Sequence, residues 1–151
     1  MKPEVYATKL GQIWANFHSL EMALRTFLAL RDDRKALKPG QSFATLAVGD
    51  EVAENPTTDF ASLGQLIERF NKVAPVERKI DPSLVDLRDA LAPGRVWSVD
   101  GSFTLRLLKF DRPQQGISRV TWASTLTDQW LEDQRQRVFD ALVRAHVGAP
   151  A

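Results

Sequence analysis

A chain of 151 residues suits one domain around one core, and its 44% hydrophobic content argues against disorder. A formal net charge of +1 removes any global attraction to nucleic acid, so an RNA contact would need a local patch. The absence of cysteine excludes disulfides, cysteine-based zinc sites and thiol catalysis, and it fits a cytoplasmic location.

No stretch reaches the roughly 18 to 20 apolar residues that span a bilayer. The opening MKPEVYATKLGQIW lacks the apolar run of a signal peptide, so no membrane association is expected. A first helix is predicted over about 5–30. Tyr6, Leu10, Ile13, Phe17, Leu20, Leu24 and Phe27 alternate spacings of four and three, and Trp14 and Leu28 widen the seam. So wide a stripe also suggests a dimer contact. His18 lies beside the seam as a boundary residue, and Glu21 reads as a solvated or salt-bridged position.

RDDRKALKPG is polar and ends in Pro-Gly, which marks a helix end and a loop. Residues 41–59 are poorly legible: FATLAV fits a short helix or a short strand, and ENPTTD a loop. A second helix is predicted over about 60–73, capped by Thr58 or Asp59, with Phe60, Leu63, Leu66, Ile67 and Phe70 inward. A third is predicted over about 81–92. Asp81 caps it, Pro82 occupies its first position, and Leu84, Leu87 and Leu91 form its apolar stripe. Arg88 lies at the edge of that stripe. Pro93 disfavours helical geometry in Ala92, and Gly94 loosens the turn, so the helix stops there.

The period then changes from helix to strand. A three-stranded antiparallel meander is predicted over about 96–123, with Asp100-Gly101 as a two-residue hairpin turn. Phe103, Leu105 and Leu107 alternate with Thr104, Arg106 and Leu108, DRPQQG is a loop, and Val120 and Trp122 share a face of the last strand. The meander's apolar face needs a helix to pack on. A last helix over about 127–146 can supply it, capped by Thr125 or Thr127. Leu131, Val138, Leu142 and Ala145 face inward, flanked by Trp130 and Phe139. His146 falls in the last turn, where a cation suits the helix dipole.

The stretch LRDALAPGRVW resembles the signature helix of HEPN-domain proteins, in which an Arg and a polar residue lead through small or apolar residues to a His. Arg88, Asp89, Ala90, Leu91, Ala92, Gly94 and Arg95 fit, and Pro93 stands where the family has its His. ASLGQLIERFN is also similar to a helix of HEPN-like bacterial proteins. The resemblance implies a mainly α, α+β fold: an antiparallel helical bundle with the meander inserted. It also implies a homodimer in which Arg and His act on RNA without metal, the His moving protons and the Arg holding phosphate. Arg88 and Asp89 are then remnants of the catalytic motif, and Arg88 with Arg95 the RNA-binding residues. Without the His, catalysis is impaired, and the chain binds RNA or a nucleotidyltransferase-type partner in a toxin–antitoxin or defence setting. The alternatives are a dimeric protein-interaction module, and an active ribonuclease that uses His18 or His146 instead.

Other chemistry finds little support. There is no Gly-rich phosphate loop, no His-Glu-x-x-His and no G-x-S-x-G, so no cofactor or metal is expected. Asp86 and Asp89, three apart on a helix, read as solvated charges. Arg106, Lys109, Arg112 and Arg119 extend a basic surface near the turn and meander, diluted by Asp86, Asp89, Asp100 and Asp111. A salt bridge from Arg88 to a helix-one acid such as Glu21 is the structural reading of the motif arginine.

Overall fold

The computed structural model describes residues 2–32, 37, 39–99, 101 and 104–146. It is an α+β structure in which four α-helices accompany one three-stranded antiparallel sheet among the described residues. No helix among them is long and apolar enough to cross a membrane.

Helix α1 runs over Pro3–Leu30, with Pro3 in its first turn where a missing N–H costs nothing. Its predicted seam is the one it buries: Ile13, Phe17, Leu20, Leu24 and Phe27 face inward, with Tyr6, Trp14 and Leu28 packed beside them. A 3-10 turn at Phe43–Thr45, capped by Ser42, is the regular structure that FATLAV provides. Helix α2 covers Leu63–Val73 and starts later than predicted. Ser62 caps it, accepting the Gln65 N–H, while the Gln65 side chain accepts the Ser62 N–H. Neither Thr58 nor Asp59 caps it, and Phe60 is fully exposed. Asp59 instead accepts hydrogen bonds from Arg25 and Arg69, which holds the chain extended for two more residues.

Helix α3 covers Leu84–Leu91, with Leu84, Leu87 and Ala90 buried. Its lead-in is a turn. Asp81 accepts the Ser83 N–H at 2.9 Å, as a cap would, before regular helix begins. Strands β1 (Arg95–Ser98), β2 (Leu105–Phe110) and β3 (Val120–Leu126) follow in the order β1-β2-β3. Helix α4 covers Asp128–His146. Thr127 caps it by accepting the Trp130 N–H at 3.0 Å, whereas Thr125 belongs to β3.

The meander differs from expectation at both turns. Ser98 pairs with Leu105, and the Val99 N–H donates to the Thr104 carbonyl at 2.8 Å, so six residues separate β1 from β2 and no two-residue turn joins them. Of these, Asp100, Ser102 and Phe103 lie outside the described residues. The two-residue turn is Gln115-Gly116, both with positive φ (53° and 77°), between Gln114 and Ile117, which exchange both backbone hydrogen bonds. These are the mirror-image turn angles that match strand twist.

One buried cluster draws on all four helices. A second joins Ala90 of α3 to Leu107 and Leu126 of the sheet, with Tyr6, Leu91, Trp122 and Trp130 against it. The sheet is therefore anchored by the end of α3 as well as by the start of α4. Lys9 bridges to Asp128 at 3.1 Å, the Asn16 amide donates to the Arg135 carbonyl at 3.3 Å, and Phe27 meets Ala145 across one cavity. Helices α1 and α4 thus run side by side in the same direction. Helix α3 is antiparallel to both: Asp81 at its start meets Arg137 midway along α4, and its end meets Tyr6 and Trp130. The antiparallel bundle therefore fails for the α1–α4 pair. The meander leaves and re-enters the bundle at the end where α1 begins, so α4 starts level with α1.

Candidate nucleic-acid interface

The motif arginine points outward. Leu84, Leu87 and Ala90 turn one side of α3 into the core, which leaves the Arg88 side chain 46% exposed. Its Nη1 donates to Asp89 Oδ1 at 2.9 Å. The expected bridge from Arg88 to Glu21 does not form, because the Glu21 carboxylate accepts from Arg25. Arg88 and Asp89 are thus brought together as an exposed pair, beside an exposed Pro93 that offers no proton donor or acceptor.

The end of α3 is shaped by Gly94 more than by Pro93. Ala92 keeps right-handed helical angles (φ −70°, ψ −59°) despite the proline after it, and its N–H donates to the Arg88 carbonyl. A Cβ at Gly94 would sit 1.9 Å from the Ala90 carbonyl oxygen and 2.5 Å from Leu107 Cδ1. The glycine is needed for close approach between helix end and sheet, which a sequence reading in terms of turn freedom does not reveal.

Arg95 starts β1 and belongs to a different surface. The register places Arg95 across from Leu108, and Trp97 across from Arg106. Alternation then puts Arg95, Trp97, Arg106, Leu108 and Phe110 on one face, opposite to the face that buries Leu107. The Arg95 guanidinium lies 5.5 Å from the centre of the Phe110 ring. Trp97 is 55% exposed, while the other tryptophans, Trp14, Trp122 and Trp130, all pack against the core. Lys109 falls on the inner face by the same alternation. Asp111 is occupied at the bulged end of the hairpin, where its Oδ1 accepts the Arg119 N–H at 2.7 Å.

The chain's two histidines, far apart in sequence, line one cavity of about 470 Å3 between the C-terminal halves of α1 and α4. Met22, Phe27, Leu30 and Ala145 supply its apolar wall. Among the described residues, no three His, Cys, Asp or Glu side chains cluster so as to hold a metal ion.

One polar site escapes the sequence reading. Arg25 lies within the predicted seam region of α1 and is only 9% exposed. Its Nε and Nη2 donate to Glu21, and Nη2 also donates to the Ala61 carbonyl at 2.8 Å. Its Nη1 reaches the Pro56 carbonyl at 2.9 Å and Asp59 Oδ1 at 2.8 Å. Burial alone would raise the Asp59 pKa, but the Ala61 N–H, Arg69 and Arg25 outweigh it and hold the carboxyl below its ordinary value. These bonds fasten the loop before α2 to α1, a structural role.

No protein-family model matches the chain, and neither does a curated protein or a solved structure.

Proposed function

We propose that this is a HEPN-like, homodimeric RNA-binding domain with impaired catalysis, and that single-stranded RNA lies across the outer face of the meander. The observation that supports this is Trp97, an unpacked tryptophan flanked by Arg95 on its own strand and faced by Arg106 across the ladder. An exposed indole offers a stacking surface to any base, and flanking guanidinium groups offer forks to the phosphates. Arg88, at the end of the helix that leads into β1, lies on a different surface beside Asp89 and enters as a second phosphate contact by the family resemblance alone. With a net charge of +1, affinity must come from this patch and not from the molecule as a whole. A nucleotidyltransferase-type partner and a toxin–antitoxin setting belong to the same proposal by family analogy alone.

The test is fluorescence anisotropy with a labelled single-stranded RNA at two salt concentrations. Stacking of one base is worth about 1–3 kcal/mol, so Trp97→Ala is expected to weaken binding by about tenfold or more. Arg95→Ala and Arg106→Ala should each lower the salt dependence by roughly one phosphate contact. Absence of binding at low salt, or binding indifferent to Trp97→Ala, overturns the reading.

A further inference from the structure

We propose that the cavity between the C-terminal halves of α1 and α4 binds a small aliphatic carboxylate, with its chain along α1 and its anionic head at His18. At about 470 Å3 the cavity falls within the range that small-molecule sites occupy. Small side chains open it: Ser19 and Ala23 recur one turn apart on α1, and Ala145 faces them from α4. Larger side chains at these places would interdigitate and close the two helices on each other. Met22, Phe27 and Leu30 form the walls, and Met22 and Leu30 remain 56% and 61% exposed. Water therefore meets apolar surface that an alkyl chain would cover.

The polar groups of the lining select the head. They are His18, Ser19, Thr26 and His146, with no carboxylate, lysine or arginine among them. An ammonium head would meet no carboxylate there, whereas a carboxylate head meets imidazole N–H and hydroxyl donors.

The helix ends decide which imidazole takes it. Ala145 is level with Phe27, nine residues beyond His18, so on the order of 13 Å of helix separates the two imidazoles. Both helices finish at the His146 end, at Leu30 and His146, where the last-turn carbonyls carry partial negative charge and repel an anion. His18 is in mid-helix, 15 residues from Pro3 and 12 from Leu30, where carbonyls are bonded within the helix. The acids near its level, Glu21 on α1 and Glu132 on α4, are already paired with Arg25 and Arg135. The head therefore belongs at His18, beside the Ser19 hydroxyl, and the chain runs toward Phe27 and Leu30. None of these residues lies on the meander or on α3, so the site is independent of the RNA reading.

The experiment is isothermal titration calorimetry of the full chain with decanoate, octanoate and decanol, each below its micelle concentration. It compares the native protein with His18→Ala, His146→Ala and Thr26→Trp, each checked for fold by circular dichroism. All three side chains are exposed, so the substitutions leave the core intact. The native chain is expected to bind decanoate, and octanoate about fifteenfold more weakly for its two missing methylenes. Decanol should bind about tenfold or more weakly than decanoate, because it lacks the charged acceptor. His18→Ala should erase the preference for decanoate over decanol, His146→Ala should keep it, and Thr26→Trp, which fills the cavity, should abolish uptake of both. No binding by the native chain, whether the cavity stays empty or is covered by a second copy, overturns the site. Uptake indifferent to Thr26→Trp overturns it equally. Decanol bound as tightly as decanoate, or a preference lost with His146 and kept without His18, overturns the placement of the head.

Discussion

Arg25 shows how a single residue organises a segment that sequence patterning leaves blank. Truncating a partner in a buried, charged network costs about 3–5 kcal/mol, because the groups left behind lose their bonds without regaining water. Arg25→Ala is therefore expected to lower stability by about 3 kcal/mol in urea titration, with the same slope. Arg69→Ala, which removes an Asp59 partner that is 47% exposed, should cost under about 1 kcal/mol. A loss no larger for Arg25→Ala than for Arg69→Ala would show that the loop is not held by this arginine. A second residue, Asp81, supplies a pH signature. The Ser83 hydroxyl, the Ser83 N–H and Arg137 hold its carboxyl at about 2. The folded value lies below the unfolded one, so this contribution is present above about pH 4 and is lost as pH falls toward 2. Asp81→Asn is expected to lower stability at pH 7 and to flatten the acid limb between pH 4 and 2, read as urea midpoints across that range. An acid limb as steep as the native one would remove Asp81 from the account.

At the scale of elements, the legible parts were those whose burial is one-sided. The α1 seam, the α3 stripe and the inward face of β2 came through because core contact imposes a period on the sequence. Element ends were less legible. At α2 the Ser62–Gln65 reciprocal cap outcompeted Thr58 and Asp59, whose side chains were already committed inside the loop. At the hairpins, Asp-Gly looked like the two-residue turn, yet the register gave that role to Gln115-Gly116. The candidate site was partly legible: Arg88 and Arg95 could be named, but Trp97 and Arg106 become neighbours only once register is known, and Arg25's partners come from a loop without periodicity. Gly94 is the sharpest case, since its need for closeness to Ala90 and Leu107 is tertiary. Gly94→Ala must push against backbone, so it is expected to cost about 3 kcal/mol, at the upper end of overpacking penalties. Gly11→Ala, in mid-helix with nothing within 4 Å of the new Cβ, should instead stabilise by about 0.5–1 kcal/mol. Thermal melts of the two variants should move in opposite directions, and a neutral Gly94→Ala would mean that the helix end yields freely.

Across the whole molecule, the parallel pairing of α1 and α4 separates two surfaces. The sheet and the end of α3 sit where both helices begin, while the histidine cavity sits toward their C-terminal ends. His146 is 16 residues along α4 from Trp130, and His18 is 12 along α1 from Tyr6. At 1.5 Å per residue these are about 24 Å and 18 Å from the level of Ala90, within a turn of Arg88, and so well beyond the roughly 3 Å reach of proton transfer, or one water more. Arg88 can attract and polarise a phosphate, but a guanidinium only donates and has no acceptor for a proton, and Pro93 has nothing to exchange. Positioned acid–base groups contribute about 10² to 10⁴ in rate. The native protein is therefore expected to bind RNA without cutting it at the rate of an intact HEPN ribonuclease. End-labelled RNA incubated with the protein in EDTA should stay full length, and Arg88→Ala should change binding but not yield of fragments. Pro93→His supplies an imidazole five residues beyond Arg88, next to a residue already in helical geometry. Metal-independent cleavage that appears in that variant and vanishes with Arg88→Ala would place the lost reaction at this helix end. Robust cleavage by the native protein, kept in EDTA and abolished by Arg88→Ala, would mean that a residue other than the two histidines carries the proton.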